Sequence, residues 1–392
     1  SQLVQIIFSS LVQDFNDERF FRALHSLELK GLLKPGTNNT FYLSNRIVDE
    51  IVENAMDEET KRRFHIMIGE KMESFLPPSE NISGLAHHFS EAKVKDKAYR
   101  YCLTAGERAK AAGNNIMAVR YLSKALDFLP EQAGYSERLQ LVIKIGDLEL
   151  FSLSNFNKAQ NRYESIGSII DAHKDEIPDY RLYQIIRCDR LGCIGQRNNE
   201  HNKALEMFRQ AEGILSEKDL TEPKIKFEYS HLLCNQAYSL INLGKNEQAV
   251  NLLEKARGYA GELKNNKMLA KIFYYYGIIA WYEKNYKTAK KHSKRSLRLY
   301  EGAGDLQGIA LIYNFLGSIE QDLNNLKEAI KYYEKGIECQ EKSADVYGLI
   351  YSLNNLGDLL NNLSRYREAK DRLERALLYA QSIGAEIELA HI

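Results

Sequence analysis

The sequence predicts an all-α fold in which helical hairpins stack into a superhelix behind a small N-terminal module. The first observation is an internal repeat, because four small residues recur every forty positions and each is followed twelve positions later by alanine. The second is that only 6 prolines interrupt 392 residues that are 44% hydrophobic. The repeated pairs are Ala237 with Ala249, Gly277 with Ala289, Gly317 with Ala329, and Gly357 with Ala369.

The N-terminal region, residues 1–78, does not follow this repeat. Apolar residues recur with helical spacing over 17–34, and a polar stretch at 35–39 then precedes Phe41-Tyr42-Leu43. Two more amphipathic helices are predicted before two prolines at 77–78 end the region. The order of helix, two-stranded wing and helices predicts a winged-helix-like module.

DNA binding is the first function that a winged helix suggests. A helix that reads a DNA groove should be clearly basic. The predicted helix instead balances its cations with acids: Arg19, Arg22, Lys30 and Lys34 against Asp14, Asp17, Glu18 and Glu28. The sequence therefore argues against a nucleic-acid partner for this chain.

Residues 79–392 are predicted to form about seven to eight helical hairpins. Polar breaks such as Leu243-Gly244-Lys245-Asn246 are too short for anything but a helix-to-helix turn. The last residues resemble the entrance to a further repeat, so we expect the array to be truncated at its C-terminal end. The same spacing, with one extra residue in the third pair, recurs upstream in Gly106 with Ala118, Gly192 with Ala204, and Gly146 with Ala159.

The order of small and large residues resembles the tetratricopeptide repeat (TPR). Its motif places Gly or Ala, then Ala, then an aromatic residue or Leu, and then a small residue, as in Gly317, Ala329, Tyr333 and Gly336. Several units exceed the TPR consensus of about 34 residues. In this they are similar to the longer repeats of kinesin light chains and of bacterial peptide-sensing regulators. The resemblance implies a scaffold that binds proteins or peptides.

Short motifs near the N-terminal end form an ordered set. They are Leu24-x-x-Leu27-x-x-Lys30-Gly31-Leu32-Leu33, Phe41-Tyr42-Leu43, Ile47-Val48, Arg63-x-His65-x-x-Ile68-Gly69 and Leu85-Ala86-His87-His88-Phe89. The set resembles the segment that joins the ATPase core to the repeats in bacterial STAND proteins (signal-transduction ATPases with numerous domains). The resemblance implies the sensor and partner-binding region of a larger bacterial signalling protein. Two alternatives stay open: the sensor region of a transcription activator whose DNA-binding domain lies outside this chain, and the scaffold part of a multidomain kinase or cyclase.

Motifs for chemistry are missing from the sequence. It has no G-x-x-x-x-G-K-[ST] phosphate loop and no kinase signature. His87 and His88 are adjacent rather than spaced by a helical turn, and Cys188 and Cys193 do not share a helix face. We therefore expect a non-catalytic protein without a cofactor or a metal ion.

Charge and cysteine content indicate the compartment. Lys+Arg and Asp+Glu both total 53, so no global field attracts nucleic acid or an acidic membrane. The 5 scattered cysteines form no paired framework, which is typical of a reducing compartment. The sequence contains neither a membrane-length apolar run nor an export signal. A cytoplasmic protein without membrane contact is predicted.

A row of polar and aromatic residues on the first helix of each hairpin is the main candidate binding site. Its members lie three before, one after or five after the small anchor, positions that line the inner curve of TPR-like stacks. Amides can satisfy the backbone of an extended peptide, and aromatic faces can take its side chains. The alternative assigns the asparagines to helix caps and the tyrosines to the core. We name this row the inner ridge: Tyr238, Tyr274, Tyr282, Asn314, Ser318, Asn354, Asp358 and Asn362.

A group of cations is the second candidate surface. No acidic residue occurs between Glu283 and Glu301, and four cations there follow helical spacing along one face. They would dock an acidic partner or an adjacent domain. The alternative is a solvated face balanced by acids on neighbouring repeats. We name these four residues the basic face: Lys287, Lys291, Lys294 and Arg298.

Overall fold

The computed structural model describes most of the chain in two compact units, Ser1–Ala133 and Gly134–Ile392. The described residues are Arg22, His25, Ser26, 33–35, 41–43, 57–75, 81–153 and 155–383.

Two short strands are present in the first unit where the wing is expected. Strand β1 (Leu33–Pro35) pairs with β2 (Phe41–Leu43) in antiparallel fashion, with Leu33 opposite Leu43. The helices that would complete a winged helix lie mainly outside the described residues. The winged-helix module and the domain boundary at residue 78 therefore stay predictions.

Four helices follow in the same unit. Gly69 of the first helix approaches the second so closely that an added Cβ would lie 2.8 Å from the ring of Phe89. The third and fourth helices meet in the same way at Gly106, where an added Cβ would lie 2.7 Å from Leu122. The helices are α1 (Glu58–Phe75), α2 (Ile82–Glu91), α3 (Lys95–Ala111) and α4 (Asn115–Asp127).

The described residues of the second unit form six helical hairpins. A π-helical turn extends the first helix, and short 3₁₀ turns precede the third and fifth helices. In chain order the helices are α5 (Tyr135–Asp147), α6 (Phe156–His173), α7 (Tyr180–Arg197), α8 (His201–Ile214), α9 (Pro223–Asn242), α10 (Asn246–Glu262), α11 (Asn266–Tyr282), α12 (Tyr286–Gly302), α13 (Leu306–Asp322), α14 (Leu326–Ser343), α15 (Val346–Asn362) and α16 (Tyr366–Ile383).

Equivalent caps begin the first helices of the last three hairpins. The side chains of Asn265, Asp305 and Asp345 each accept a hydrogen bond from the backbone N–H three residues on, at 2.9, 3.0 and 3.0 Å. Such caps satisfy one of the N–H groups that a helix start leaves unpaired. The forty-residue repeat therefore sets where helices begin as well as where they pack.

The small anchors hold each hairpin together. An added Cβ at Gly357 would lie 2.7 Å from Leu373, and one at Gly192 would collide with Phe208, so these two anchors are covered by the large residue sixteen positions later. At Gly277 that residue is the small Ser293, and Phe315 lies closest instead, at 3.1 Å. At Gly146 the covering residue is Tyr163, one position further on, as the looser upstream match predicts. The predicted all-α, TPR-like superhelix is confirmed.

The turns inside the last four hairpins share one conformation. Gly244, Lys284, Asn324 and Ser364 all have a positive φ of 58–72°. In each turn the next residue donates its N–H back to the carbonyl five positions earlier, as Asn285 does to Ala280 at 2.8 Å. This arrangement satisfies the last carbonyls of the first helix. The predicted helix-to-helix turns are confirmed.

The core of the second unit is apolar and runs from one hairpin to the next. One cluster of buried side chains extends from α7 to α13, and a second joins α14, α15 and α16.

Among the described residues, no helix is both long enough and apolar enough to cross a membrane.

Candidate functional site

A pocket lies among the first helices of three successive hairpins, α9, α11 and α13. Its volume is about 230 Å³. Five of the eight inner-ridge residues line it together with the single tryptophan of the chain. The lining residues are Tyr238, Asn242, Tyr274, Ile278, Trp281, Tyr282, Leu311, Asn314, Phe315 and Ser318.

Aromatic rings contribute much of the pocket lining. Tyr274 and Phe315 meet edge to face, with centroids 5.4 Å apart and planes at 89°. The ring centroid of Trp281 lies 6.1 Å from that of Phe315 and 5.1 Å from that of Tyr282. Phe315 is buried, whereas Tyr282 is 52% exposed. The rings therefore offer faces and edges to a ligand, and the contacts between them fix their orientation.

Asn242, Asn314 and Ser318 contribute amide and hydroxyl groups to the lining. The side-chain amide of Asn355 donates to Oδ1 of Asn314 at 3.2 Å. This hydrogen bond engages the side-chain oxygen of Asn314. The Nδ2 atom of Asn314 has no hydrogen-bond partner among the described residues. Ser318 Oγ donates to the carbonyl of Asn314 at 3.3 Å and lies 3.2 Å from Tyr333 Oη. The side chain of Asn314 is thus held in place, and its N–H donors remain available to a ligand.

The other three inner-ridge residues lie on α15, outside the pocket. Asp358 and Asn362 are exposed, and Asn354 is half-buried. The Oδ1 atom of Asn354 is shielded from solvent and has no hydrogen-bond partner in the described part of the chain. The structure therefore brings five ridge residues together and places three on the next hairpin. Equivalent positions are not equally open, since Cys234 matches Tyr274 in the repeat and is completely buried.

Charged side chains are buried between α5, α7 and α9. Asp189 is fully buried and accepts hydrogen bonds from Arg190 Nη1 at 2.5 Å and from Asn235 Nδ2 at 2.8 Å. Burial alone would raise the pKa of Asp189, but His231, Arg190 and Asn235 hold that pKa well below its usual range. Arg190 also donates to Asp147 at 3.0 Å. These pairs compensate each other's charge, as buried ions require.

Glu228 is the least well compensated member of this group. Its Oε2 atom lies 3.7 Å from Arg190 Nη2 and has no hydrogen-bond partner among the described residues. Burial raises the pKa of Glu228 to about 7, against the attraction of Arg190. Glu228 therefore takes up a proton near neutral pH.

The buried thiols and the imidazole beside this network are poorly suited to catalysis. Burial raises the pKa of Cys193 and of Cys234 to about 12, so both thiols stay protonated at neutral pH. Burial and the nearby Lys271 lower the pKa of His231 to about 4. These groups have the character of packed core residues.

The basic face is exposed on α12. None of its four residues has an ion-pair partner among the described residues. Two other cations of the same helix are engaged: Lys290 pairs with Glu320 at 2.7 Å, and the Arg295 guanidinium lies 4.0 Å from the ring centroid of Phe273. The structure thus separates four unpaired cations from two that hold neighbouring side chains.

Five lining residues are not members of the inner ridge: Asn242 and Ile278 stand at its offsets, whereas sequence reasoning missed the other three. Trp281 lies four positions after its anchor, and Leu311 lies six before its own, so neither stands at the three offsets used. Phe315 lies two positions before its anchor and is also outside these offsets. Hydrophobic residues at such positions look like core residues until the neighbouring hairpin is placed.

Two comparisons with known proteins bear on the repeats. A family model described as tetratricopeptide repeat matches residues 308–382, and a second model with the same description matches 230–258. No curated protein matches the sequence. Residues 230–258 and 308–382 thus match tetratricopeptide repeats, in agreement with the TPR-like fold.

Solved structures with similar folds cover most of the chain. The Rap conjugation gene regulator of plasmid pLS20, solved with the Phr* peptide, has a TM-score of 0.58 at 13% identity, over 88% of this chain and 90% of that one. A Rap protein solved with competence and sporulation factor has a TM-score of 0.55 at 16% identity, over 87% and 92%. Aspartyl phosphate phosphatase F from Bacillus subtilis has a TM-score of 0.52 at 12% identity, over 86% and 88%. At these identities the likeness shows the fold.

A STAND protein with a TPR sensor from Pyrococcus horikoshii is also similar. The match covers 99% of this chain but 51% of that protein, with a TM-score of 0.46 at 15% identity.

Proposed function

We propose that the inner ridge binds an extended peptide segment of a protein partner, with the pocket as its main anchoring point. The observation that carries this proposal is the convergence of five ridge residues on one pocket across three hairpins. Side chains that are far apart in sequence share this pocket because equivalent positions face the same way in successive repeats. The function is binding, without catalysis.

The chemistry of the pocket matches such a ligand. Its volume of about 230 Å³ holds one or a few side chains and not a whole drug-sized ligand, since pockets for those reach about 300–1,000 Å³. The aromatic lining takes an apolar or aromatic side chain, and the free donor of Asn314 meets a backbone carbonyl. Asn354, Asp358 and Asn362 would meet the peptide where it continues over α15.

We place this binding arm in a bacterial STAND-type signalling protein of the cytoplasm, where it acts as a sensor. The ordered N-terminal motifs and the long repeats support this setting. Two of the similar Rap structures were solved with a peptide or factor bound, and the same kind of ligand suits this pocket. A transcription activator and a kinase or cyclase scaffold are the alternative settings.

The single tryptophan offers a direct test. Trp281 lines the pocket, and indole emission responds to local polarity, so a ligand that fills the pocket should change the fluorescence. Peptides selected from a phage-displayed library on the purified protein would be titrated against it, with calorimetry as a second measurement. Saturable emission changes at the calorimetric stoichiometry support the proposal. Tight binding that leaves the emission unchanged places the peptide elsewhere.

The basic face carries a second candidate function, the docking of an acidic segment. Four exposed cations without ion-pair partners in the described chain favour it. The partner would be an acidic protein surface or an adjacent domain of the same full-length protein. Such binding should weaken strongly with salt, because exposed charges are screened.

A further inference from the structure

Three histidine side chains meet between α1 and α2 in the N-terminal unit. His65 lies on α1, and His87 and His88 lie on α2. One ring nitrogen of each lies within 4.8 Å of those of the other two, and the ring centroids are 5.1–5.5 Å apart. We propose that these three imidazoles bind a divalent transition-metal cation of the Zn²⁺ class. Sequence spacing alone argued against a metal here, because it could not place His65 beside the other two.

The closest pair already has nearly the spacing that a metal requires. Nδ1 of His65 and Nδ1 of His88 share a hydrogen bond of 2.9 Å, and a bound cation would take the place of its proton, which moves to the other nitrogen of the donor ring. Two nitrogens on one tetrahedral Zn²⁺, each about 2.0–2.1 Å from the metal, lie roughly 3.3 Å apart. A shift of about half an ångström would therefore place both lone pairs on a shared cation. His87 is exposed, so rotation of its side chain can bring it into the set.

A carboxylate lies beside the exposed histidine of the cluster. Glu91 Oε1 lies 3.8 Å from Nδ1 of His87 and 3.1 Å from Lys124 Nζ. A carboxylate that hydrogen-bonds to a ligating histidine orients its ring, and a small side-chain movement would bring Glu91 within that distance of His87.

Backbone packing fixes the distance between the two helices. An added Cβ at Gly84 would lie 2.6 Å from the tip of Met72, and one at Gly69 would lie 2.8 Å from the ring of Phe89. Arg62 Nε donates to the carbonyl of Ala92 at 3.0 Å, which ties the start of α1 to the end of α2. The bound cation would join α1 to α2 through three nitrogen ligands and keep a fourth position for water or another ligand.

Cobalt provides the test, because four-coordinate Co²⁺ absorbs visible light much more strongly than hexahydrated Co²⁺. The metal-free protein would be titrated with Co²⁺ alone and then with Zn²⁺. We expect one Co²⁺ per chain with a four-coordinate spectrum that Zn²⁺ displaces. His65→Gln, His87→Gln and His88→Gln should each weaken binding by about tenfold or more, as loss of even an outer partner does. A titration that gives no four-coordinate spectrum overturns the proposal.

The control is His173→Gln, which removes a histidine of α6 that contacts Glu176 and lies outside the cluster. It should bind Co²⁺ as the wild type does. Equal loss in His173→Gln and His87→Gln would also overturn the proposal. Helicity and melting of the metal-free variants check folding. If His65→Gln or His88→Gln disturbs folding, the exposed His87 still decides the result.

Discussion

The ring of Tyr333 packs directly on the backbone of Gly317. A Cβ added at Gly317 would lie 2.7 Å from Cε1 and 2.8 Å from Cδ1 of that ring, closer than real Cβ atoms approach other heavy atoms. Tyr333 is fully buried on α14, and its hydroxyl donates to Gln321 at 3.0 Å. Because the ring is held at both its face and its hydroxyl, it cannot move aside without breaking other contacts.

Gly317→Ala should therefore destabilise the protein by about 1–3 kcal/mol, the usual cost of overpacking a dense core. The melting midpoint and urea midpoint would measure it. Gly258→Ala is the matched control, since Gly258 lies within α10 and an added Cβ meets nothing within 4 Å. The free energy of unfolding of that variant should rise by up to about 1 kcal/mol, because alanine is more stable than glycine within a helix. Equal effects of the two changes would contradict the proposed packing of anchors.

The repeat and its turns could be predicted because they rest on local spacing. The anchors Gly192 and Gly357 contact the residues sixteen positions later, a relationship that one hairpin contains within itself. The openness of each ridge position could not be predicted, because it depends on side chains from the neighbouring hairpins. Cys234 is buried against Met268, whereas the equivalent Tyr274 is too large to enter the core fully.

Contacts between elements that are distant in the sequence could not be predicted from it either. His65 meets His88 only because Gly69 allows α1 to lie against α2. Trp281 lines a pocket because α13 lies near α11, a contact that the sequence does not give.

The turn glycine offers a second prediction. Gly244 and Lys284 occupy equivalent turns with φ of 72° and 58°, a left-handed conformation that costs a non-glycine residue about 1–2 kcal/mol. Gly244→Ala should lower stability by about 1 kcal/mol, although an added Cβ meets nothing within 4 Å. Lys284→Gly should raise stability by up to a similar amount. Thermal melts of both variants check the pair, and a shift of the same sign in both would show that strain in the turn is not the cause.

Glu228 predicts how stability depends on pH. Its pKa is raised from 4.5 to about 7 in the folded protein, so between these values the folded state holds a proton that the unfolded chain has released. The stabilisation from this group is complete below about pH 4.5 and is lost as pH rises through 7.

Glu228→Gln should therefore flatten the fall in melting temperature between pH 5 and 8, and above pH 8 it should be more stable than the wild type by about 1–3 kcal/mol. Glu283→Gln changes an exposed residue and should follow the wild-type profile. A Glu228→Gln profile that parallels the wild type would show that Glu228 does not bind a proton in this range.

The basic face predicts a salt-dependent interaction. The triple change Lys287→Glu, Lys291→Glu and Lys294→Glu should abolish binding to polyglutamate at low salt while leaving the melting temperature nearly unchanged, because all three side chains are exposed. Lys327→Glu alters the position equivalent to Lys287 in the next hairpin and serves as the control. Polyglutamate binding that survives the triple change would exclude this face.

The inner ridge gives the sharpest functional prediction. For a peptide whose binding changes the emission of Trp281, Tyr282→Ala should weaken binding by roughly tenfold or more, as expected for an aromatic anchor residue. Tyr366→Ala is the matched control, because Tyr366 is 65% exposed and lies outside the pocket.

Asn314→Asp keeps an acceptor for Asn355 and removes the free donor, so it tests the amide without leaving Asn355 unpaired. Its expected loss is about 1–3 kcal/mol of binding free energy, the cost of an unsatisfied peptide carbonyl. Calorimetry on all three variants measures these losses. Equal losses for Tyr282→Ala and Tyr366→Ala would place the peptide outside the pocket, and loss only with the charge reversals would move it to the basic face.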